Sequence, residues 1–416
     1  MKKLSIIFFI LFVSFTNLFA QQDVKIMTYN LLNYDSNVDT SRNTYFREII
    51  NATKPDIFVV QEIQNQNSVD AYLNNVMKDI NSNYNSGNFI ANLNPPPPNT
   101  YDYYENVIFY DTNKFKFISN TPIHSELRDI NEFKVVHIST DDTLRIYAAH
   151  LKASTGTTNE NKRAAEVDSL RKFTDALPTN TNFIVLGDLN IYKDSEPAYI
   201  KLKDQTKSGY FIDPITMNGT WNNSIYSTYH TQATRSSNGG LDDRFDMILY
   251  SNAIEQKLRI KYVTDSTIPF GNDGNHYNKS INEQPNTAVS SSLADALFYA
   301  SDHLPVYATF KFLYATDIKY EQTFPTQFSL SQNYPNPFNP ETVISFQLSA
   351  LSYVTLKIYD VLGKEITTLV NEEKSIGKYY VNFNAINLTS GIYFYRLTAT
   401  SSSSFFNQTK KMILLK

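Results

Sequence analysis

Two hydrophobic rhythms alternate between Val24 and Leu313. Short runs rich in β-branched and aromatic residues predict strands at Val24–Leu31, Asp56–Gln61, Asn106–Asp111, Phe133–Ser139, Leu144–His150, Phe183–Gly187, Phe245–Tyr250 and Val306–Phe312. Several are apolar at nearly every position, as buried strands are. Helical spacing marks Ser41–Ala52, Val69–Ile80 and Asn159–Ala176. In the last, Ala165, Val167, Leu170, Phe173 and Leu177 fall on or near one stripe, and Pro178 stops the helix. Mixed hairpins and helices predict a layered α/β domain. Asn94–Asn99 holds four consecutive prolines and reads as a stiff surface loop. Asn218–Gly240 and Pro269–Asn286 are polar and rich in Gly, Asn and Ser. They are expected outside the core, where long loops shape binding sites.

The rhythm changes near Thr316–Thr326. Asn333-Tyr-Pro-Asn-Pro-Phe-Asn-Pro340 carries three prolines and cannot be helical. Short strands follow at Thr342–Leu348, Val354–Tyr359, Lys378–Phe383, Gly391–Ala399 and Lys410–Leu415, with turn signals such as Leu362-Gly363-Lys364 between them. The pattern predicts a small all-β, immunoglobulin-like sandwich. At the other end, Met1-Lys2-Lys3, an apolar run from Leu4 to Phe15 and Leu18-Phe19-Ala20 have the form of an export signal cut after Ala20. The run is too short to span a bilayer comfortably, and no other stretch is long and apolar enough. The expected division is therefore a signal at 1–20, a layered α/β domain at 23–314, a linker at 315–330 and a terminal β domain at 331–416.

Composition sharpens this picture in two places. With 42% hydrophobic and 14% aromatic residues the chain is too rich for disorder, and 416 residues can bury a large core. The absence of cysteine excludes disulfides, thiolate metal sites and a thiol nucleophile. The net charge of −4 hides a division: residues 331–416 hold eight Lys/Arg against five Asp/Glu, so the middle of the chain is distinctly acidic. That argues against a nucleic-acid binder held by a broad basic surface, but not against an enzyme that meets phosphate through bound cations.

Polar residues recur where apolar strands end. Asn30 closes Lys25–Asn30, Glu62 closes Asp56–Glu62 and His150 closes Leu144–His150. Asp188 and Asn190 close Phe183–Asn190, and Asp302 and His303 precede Leu304–Phe310. A charge at the mouth of a buried strand is costly unless paired or metal-bound, so the recurrence points to polar groups converging on one sheet edge. Carboxylates and amides without thiols suit a hard cation such as Mg²⁺, Mn²⁺ or Ca²⁺, and histidines add proton transfer or phosphate contact. Phosphoryl chemistry needs this combination.

In Met27-Thr-Tyr-Asn30, Gln61-Glu62, His150-Leu151, Gly187-Asp-Leu-Asn190, Arg244–Leu249 and Ser301-Asp-His303 the chain resembles the endonuclease/exonuclease/phosphatase superfamily, in motif order, over nearly all of Val24–Leu313. The resemblance implies a four-layer α/β/β/α sandwich with its site at one end of two packed sheets. It makes Glu62 the main metal ligand, with Asn30 beside it and Asp302 close by. It makes Asp188 the group that activates or orients water and Asn190 the group that steadies it. His303 would contact the scissile phosphate, oriented by Asp246. His150 would donate to a phosphate oxygen or leaving group, and Asn106 would help shape the site. His124, His137, His230 and His276 are expected to be surface or core residues.

His150 resembles the branch with pancreatic-type deoxyribonucleases, sphingomyelinases and inositol-phosphate phosphatases. Asp242–Asp246 lacks the Pro and Trp that typically precede this arginine in the inositol phosphatases. His150-Leu-Lys-Ala-Ser, a helix with Arg163, Gly187-Asp-Leu-Asn190 and Glu196-Pro197 look most like secreted bacterial nucleases, with Leu189 replacing the commoner Phe. The resemblance implies an extracellular, monomeric hydrolase of DNA or RNA using Mg²⁺ or Mn²⁺. A phospholipid or sphingomyelin phosphodiesterase is the alternative, with Tyr101–Tyr104 or Ile268–Phe270 entering lipid; a catalytically dead surface-binding module is the third reading. The C-terminal domain resembles the sorting tails of type IX secretion, at Asn333–Pro340, Val361–Lys364, Ser390–Tyr393 and Lys410–Lys416. That implies Sec export, recognition by the type IX machinery, passage across the outer membrane and removal of the tail, with no transmembrane anchor once the signal is cut.

Overall fold

A computed structural model describes residues 21–91, 105–125, 127–313, 327–374, 376–401 and 404–416. The expected signal, the proline run, Tyr101–Tyr104 and the linker up to residue 326 lie outside them. The chain divides into two compact units, Met1–Ala315 and Thr316–Lys416.

The strands of the first unit are β1 Gln21–Tyr34, β2 Ile57–Ile63, β3 Tyr84–Ser86, β4 Glu105–Asp111, β5 Phe115–Ile123, β6 Ile130–His137, β7 Asp142–His150, β8 Phe183–Asp188, β9 Phe211–Ile212, β10 Asp246–Ser251, β11 Ile260–Tyr262, β12 Ile268–Pro269 and β13 Val306–Leu313. One sheet runs β11-β13-β1-β2-β4-β3, with β12 on β13, and the other runs β5-β6-β7-β8-β10-β9. Side chains alternate across a strand, so each central strand feeds two cores. Val24, Ile26, Ile57, Val59, Leu144, Ile146, Ile184 and Leu186 meet between the sheets. The intervening Met27, Phe58 and Val60 face the helices Asn43–Thr53, Gln66–Tyr72 and Ser291–Ala300. Tyr147, Phe183 and Val185 face the helices Thr157–Thr174 and Pro197–Lys203. The order of layers is α/β/β/α, as the resemblance implies.

The helix ends have local causes. Asn65 accepts a hydrogen bond from the Ser68 amide at 2.9 Å, capping Gln66–Tyr72. That helix continues through a π turn at Leu73–Met77 to Ile80, close to the predicted Val69–Ile80. Asn43–Thr53 closes on Lys54 in the left-handed region, ahead of Pro55.

One expectation is overturned. Asn218–Gly240 and Pro269–Asn286 reach the core: Trp221, His230, Thr231, Thr234 and Ile281 are fully buried. Trp221 packs edge-on to Tyr199, with ring centroids 5.1 Å apart, and the threonines are satisfied by backbone. Thr231 Oγ1 accepts from the amides of Phe245 and Asp246, and Thr234 Oγ1 donates to the Ser301 carbonyl. Polar composition marked these segments as solvent-facing, but their polar groups are spent inside.

Two buried ion pairs tie loops to this frame. Arg244 makes a two-pronged contact with Asp213, both bonds at 2.8 Å. Arg163 and Glu196 pair at 2.9 Å with both side chains fully buried, and Arg163 also donates to the carbonyls of Lys152 and Ser154.

The second unit contains β14 Ser329–Leu330, β15 Glu341–Leu348, β16 Ser352–Tyr359, β17 Glu365–Lys374, β18 Gly377–Asn384, β19 Gly391–Thr400 and β20 Phe405–Leu414. Antiparallel sheets β14-β15-β18 and β17-β16-β19-β20 share one core, including Ile344, Phe346, Leu356, Ile358, Tyr395 and Leu397. Among the described residues no helix is long and apolar enough to cross a membrane.

Removing one member of a buried ion pair leaves the other charge uncompensated. Glu196→Ala should therefore lower unfolding free energy by about 3–5 kcal/mol, read as a shifted urea midpoint at unchanged slope. An unchanged midpoint would contradict the role given to the pair.

Candidate active site

The site continues the layer between the sheets. On β7 the inward positions read Leu144, Ile146, Ala148 and then His150. On β8 they read Ile184, Leu186 and then Asp188; on β10, in reverse, Tyr250, Ile248 and then Asp246. Pairing register sets His150 and Asp246 on either side of Asp188, so one row across three strands carries all three. From the facing sheet, β1 contributes Asn30 after Val24, Ile26 and Thr28. Apolar filling stops at one end of the sandwich and polar groups take its place.

Glu62 joins by breaking the alternation. Gln61 keeps the inward position and accepts from Thr28 Oγ1. The next residue has φ 61°, and the β1–β2 register shifts beyond Asn30. The Glu62 carboxylate is thereby brought to Asn30 Nδ2 (2.9 Å) and the Asn33 amide (2.9 Å). Asn30 Nδ2 also donates to Asp188 Oδ2 at 3.2 Å, linking the two carboxylates.

Asp188 is the hub. Its Oδ2 lies 3.5 Å from His150 Nε2 and 3.6 Å from His303 Nε2, and its Oδ1 accepts from the Asn190 amide at 3.2 Å. Asn190, at φ 49°, anchors its side chain on the Leu151 carbonyl. His150 Nε2 is 3.8 Å from Glu62 Oε1. His303 Nδ1 meets Asp246 Oδ2 at 2.7 Å, and Asp302 Oδ1 stands 4.0 Å from His303 Nε2. Asp246 is the partner of His303, while Arg244, two residues before it, belongs to Asp213. Eight of the nine sequence-derived residues thus gather around Asp188 and His303, six of them by direct side-chain contact. Asn190 adds its backbone amide and Asp302 the adjoining carboxylate. Asn106 stands apart: it occupies an inward position on β4, but its Nδ2 bonds Asn131 Oδ1 at 3.0 Å on β6.

Two residues of this cluster had no role assigned from sequence. Gln232 Nε2 lies 2.9 Å from His303 Nε2 and is delivered by the loop expected to be peripheral; no periodicity marks it. Ser301 is fully buried, donates from Oγ to the Asn30 carbonyl at 2.7 Å and accepts from the His303 amide at 3.2 Å, tying the end of β1 to the loop that leads into its neighbour β13. The other histidines bond elsewhere: His124 to Asp129, His137 to Thr140, His230 to the Trp221 carbonyl and His276 to Asp273.

Burial, the nearby cations Arg128 and Lys152, and His303 hold the His150 pKa well below its ordinary value, so His150 is neutral at pH 7. Burial also opposes charge on His303, but Asp246, Asp188 and Asp302 outweigh it and keep that imidazole protonated. Burial, helped by Asp246 and Glu62, pushes Asp188 up to about 7 against the pull of His303 and Asn30. The cluster thus contains one cationic and one neutral imidazole on either side of a carboxylate poised near neutrality, an arrangement suited to moving protons.

The donor set suits a hard divalent cation. Among the described residues no three His, Cys, Asp or Glu side chains alone enclose a metal. Mg²⁺-type sites do not require that, because they keep water and substrate phosphate as ligands. Glu62 and Asp302 are the more open carboxylates, at 14% and 19% side-chain exposure against 4% for Asp188, and Asp302 Oδ1 has no hydrogen-bond partner.

Residues 27–303 match the sequence profile of the Endonuclease/Exonuclease/phosphatase family, and the chain belongs to that family of phosphoester hydrolases. Residues 332–414 match the secretion system C-terminal sorting domain, which directs the chain through type IX export to the cell surface or the medium. No curated protein sequence matches the chain significantly. Similar solved structures include the human Nocturnin catalytic domain with bound sulfate (18% identity, 70% of this chain and 94% of that one, TM-score 0.43). D. rerio TDP2 with a single-strand DNA product matches at 16% identity over 69% of this chain and 98% of that one, TM-score 0.45. A Bacteroides thetaiotaomicron mannosyl-6-phosphatase matches at 14% identity over 69% and 99%, TM-score 0.43.

Ser301→Ala should strip partners from two buried backbone groups at once. It should cost about 1–3 kcal/mol of stability and lower the turnover of phosphoester hydrolysis, because Asn30 and His303 lose their common anchor. Unchanged melting together with unchanged turnover would remove Ser301 from the support of the site.

Proposed function

We propose that the chain is an exported, divalent-metal-dependent phosphodiesterase that cuts nucleic acid. The observation that carries this reading is the buried Asp188 carboxylate set between two imidazole Nε2 atoms, 3.5 and 3.6 Å away, beside the more open Glu62. Asp188 orients a water and draws its proton as oxygen attacks phosphorus. Asn190, fixed on the Leu151 carbonyl, steadies the same water. His303, held by Asp246, donates from Nε2 to a non-bridging phosphate oxygen and steadies the pentavalent charge. His150 serves the opposite side, donating to a phosphate or leaving oxygen. Enzymes of this family generally use divalent metals; here Glu62, Asn30 and Asp302 would hold Mg²⁺ or Mn²⁺, with Ca²⁺ as a further candidate, and the ion would offset phosphate charge. Asn106 shapes the wall. The chain works as a monomer, with the signal at 1–20, the catalytic domain at 23–314 and the sorting domain from 331.

The preference for nucleic acid rests on the sequence likeness of the His150–Ser154, Gly187–Asn190 and Glu196-Pro197 motifs to secreted nucleases, together with export. The lipid reading loses one of its supports, because Phe270 packs against the helix-side core of the first sheet and its amide bonds the Pro305 carbonyl. The dead-module reading has to explain a complete set of acid, amide and imidazole groups in mutual contact.

Purified full-length chain should nick supercoiled plasmid with Mg²⁺ or Mn²⁺ and stop on adding EDTA. Asp188→Ala and His303→Ala should each lower the rate by about 10³-fold or more. Failure on plasmid, linear DNA, single strands and RNA alike would sink the nuclease reading, and full activity in EDTA would sink the metal.

A further inference from the structure

The two flanks of the site carry opposite charge. Beyond His303 the wall is acidic. Gln232, which touches His303, pairs its backbone with Asp242 and Asp243. Beyond His150 the wall is basic. Arg128 donates to the carbonyls of His150 and Leu151, each at 3.3 Å, and Lys152 follows directly.

Lys152 is unusually well fixed for a partly exposed lysine. Its amide is held by Glu166 Oε2 at 2.9 Å and its carbonyl by Arg163 at 2.7 Å; both of those side chains are fully buried. The Arg163–Glu196 pair anchors that clamp. At its far end the ammonium meets only the Ala153 carbonyl, at 2.9 Å. Among the described residues neither Lys152 nor Lys162 has a carboxylate salt-bridge partner. Burial, then Arg128 and Lys162, hold the Lys152 ammonium below its ordinary range against the pull of Glu166, and an anion beside the ammonium would add to that pull.

We propose that Lys152, with Arg128 and Lys162 around it, forms an anion subsite beside His150 that receives the phosphate next to the scissile one in a nucleic-acid strand. The inference rests on the nuclease reading and extends it. The strand's remaining phosphates run toward Lys152 and away from Asp242 and Asp243, so the substrate binds in one direction. A lone diester without a second phosphate leaves the subsite empty.

The test is fluorescence anisotropy of a labelled single-stranded oligonucleotide on full-length chain silenced by Asp188→Asn, at fixed Mg²⁺ and rising salt. Adding Lys152→Gln should weaken binding by about tenfold and flatten the plot of log affinity against log salt by about 0.7, one phosphate contact on a single strand. Lys152→Arg should restore most of both. Lys162→Gln, on a helix surface where folding is not at stake, should weaken binding to a lesser extent in the same direction. Unchanged affinity and slope in Lys152→Gln, or no binding by the Lys152 protein, overturns the subsite. Cleavage of the same oligonucleotide by the Asp188 protein reads the nuclease proposal separately. Binding with the expected slope but no cleavage leaves the subsite standing and the nuclease reading fallen; cleavage with an indifferent Lys152 does the reverse.

Discussion

Everything at the site depends on the register of β7, β8 and β10. His150, Asp188 and Asp246 lie in one row because each pairs across with its neighbour. A slip of one residue on any of these strands would turn its polar end group toward the helices and its apolar neighbour into the site. The register is enforced from within the sandwich. The residues two and four positions along each strand fill the layer between the sheets, where a misplaced side chain would leave a void or a clash. The hydrophobic core and the polar cluster are thus two ends of one layer, and stability of the first positions the second.

That arrangement forces charged groups into a place where charge is expensive. Asp188 and Asp246 are sealed from solvent, and His303 is trapped with them. The cost is offset by local bonds: Asn30 between two carboxylates, Thr231 on the amides of Phe245 and Asp246, and Ser301 between strand and loop. The two imidazoles end in different states for reasons visible in their neighbours. His303 has carboxylates around it and keeps its proton; His150 has cations on its outer side and stays neutral. The cluster thereby acquires a direction, with proton-rich and proton-poor sides about one carboxylate.

The parts legible in the sequence were those carried by periodicity. Central strands such as Leu144–His150 and Phe183–Gly187 announced themselves as apolar runs, and the polar residue that ended each run announced the site. Glu62 was legible by type, although its inward turn depends on a left-handed backbone that the sequence does not display. Gln232 was invisible because it sits in a loop whose composition signals solvent, while its position depends on backbone pairing with Asp243 and His303. Ser291–Ala300 escaped because a ten-residue helix behind a long polar loop offers little periodic signal. Asn106 was expected only to help shape the site, and whether an amide turns to the acid cluster or to Asn131 is settled by side-chain packing between sheets, about which strand pattern says nothing.

An exported domain without disulfides must hold its loops by other means, and here the means are buried charges. Arg244 with Asp213 and Arg163 with Glu196 each pin a segment that has no secondary structure of its own. Such pairs add little net stability compared with apolar replacements, but breaking one is costly, so they fix geometry more than they raise stability. The Arg163 pair grips the carbonyls of Lys152 and Ser154 directly after His150. The same ion pair therefore sets where the neutral imidazole ends its strand and where the next cation stands. In a domain whose overall charge is acidic, the cations beside His150 stand in fixed positions, and the buried pairs are what keep those positions fixed.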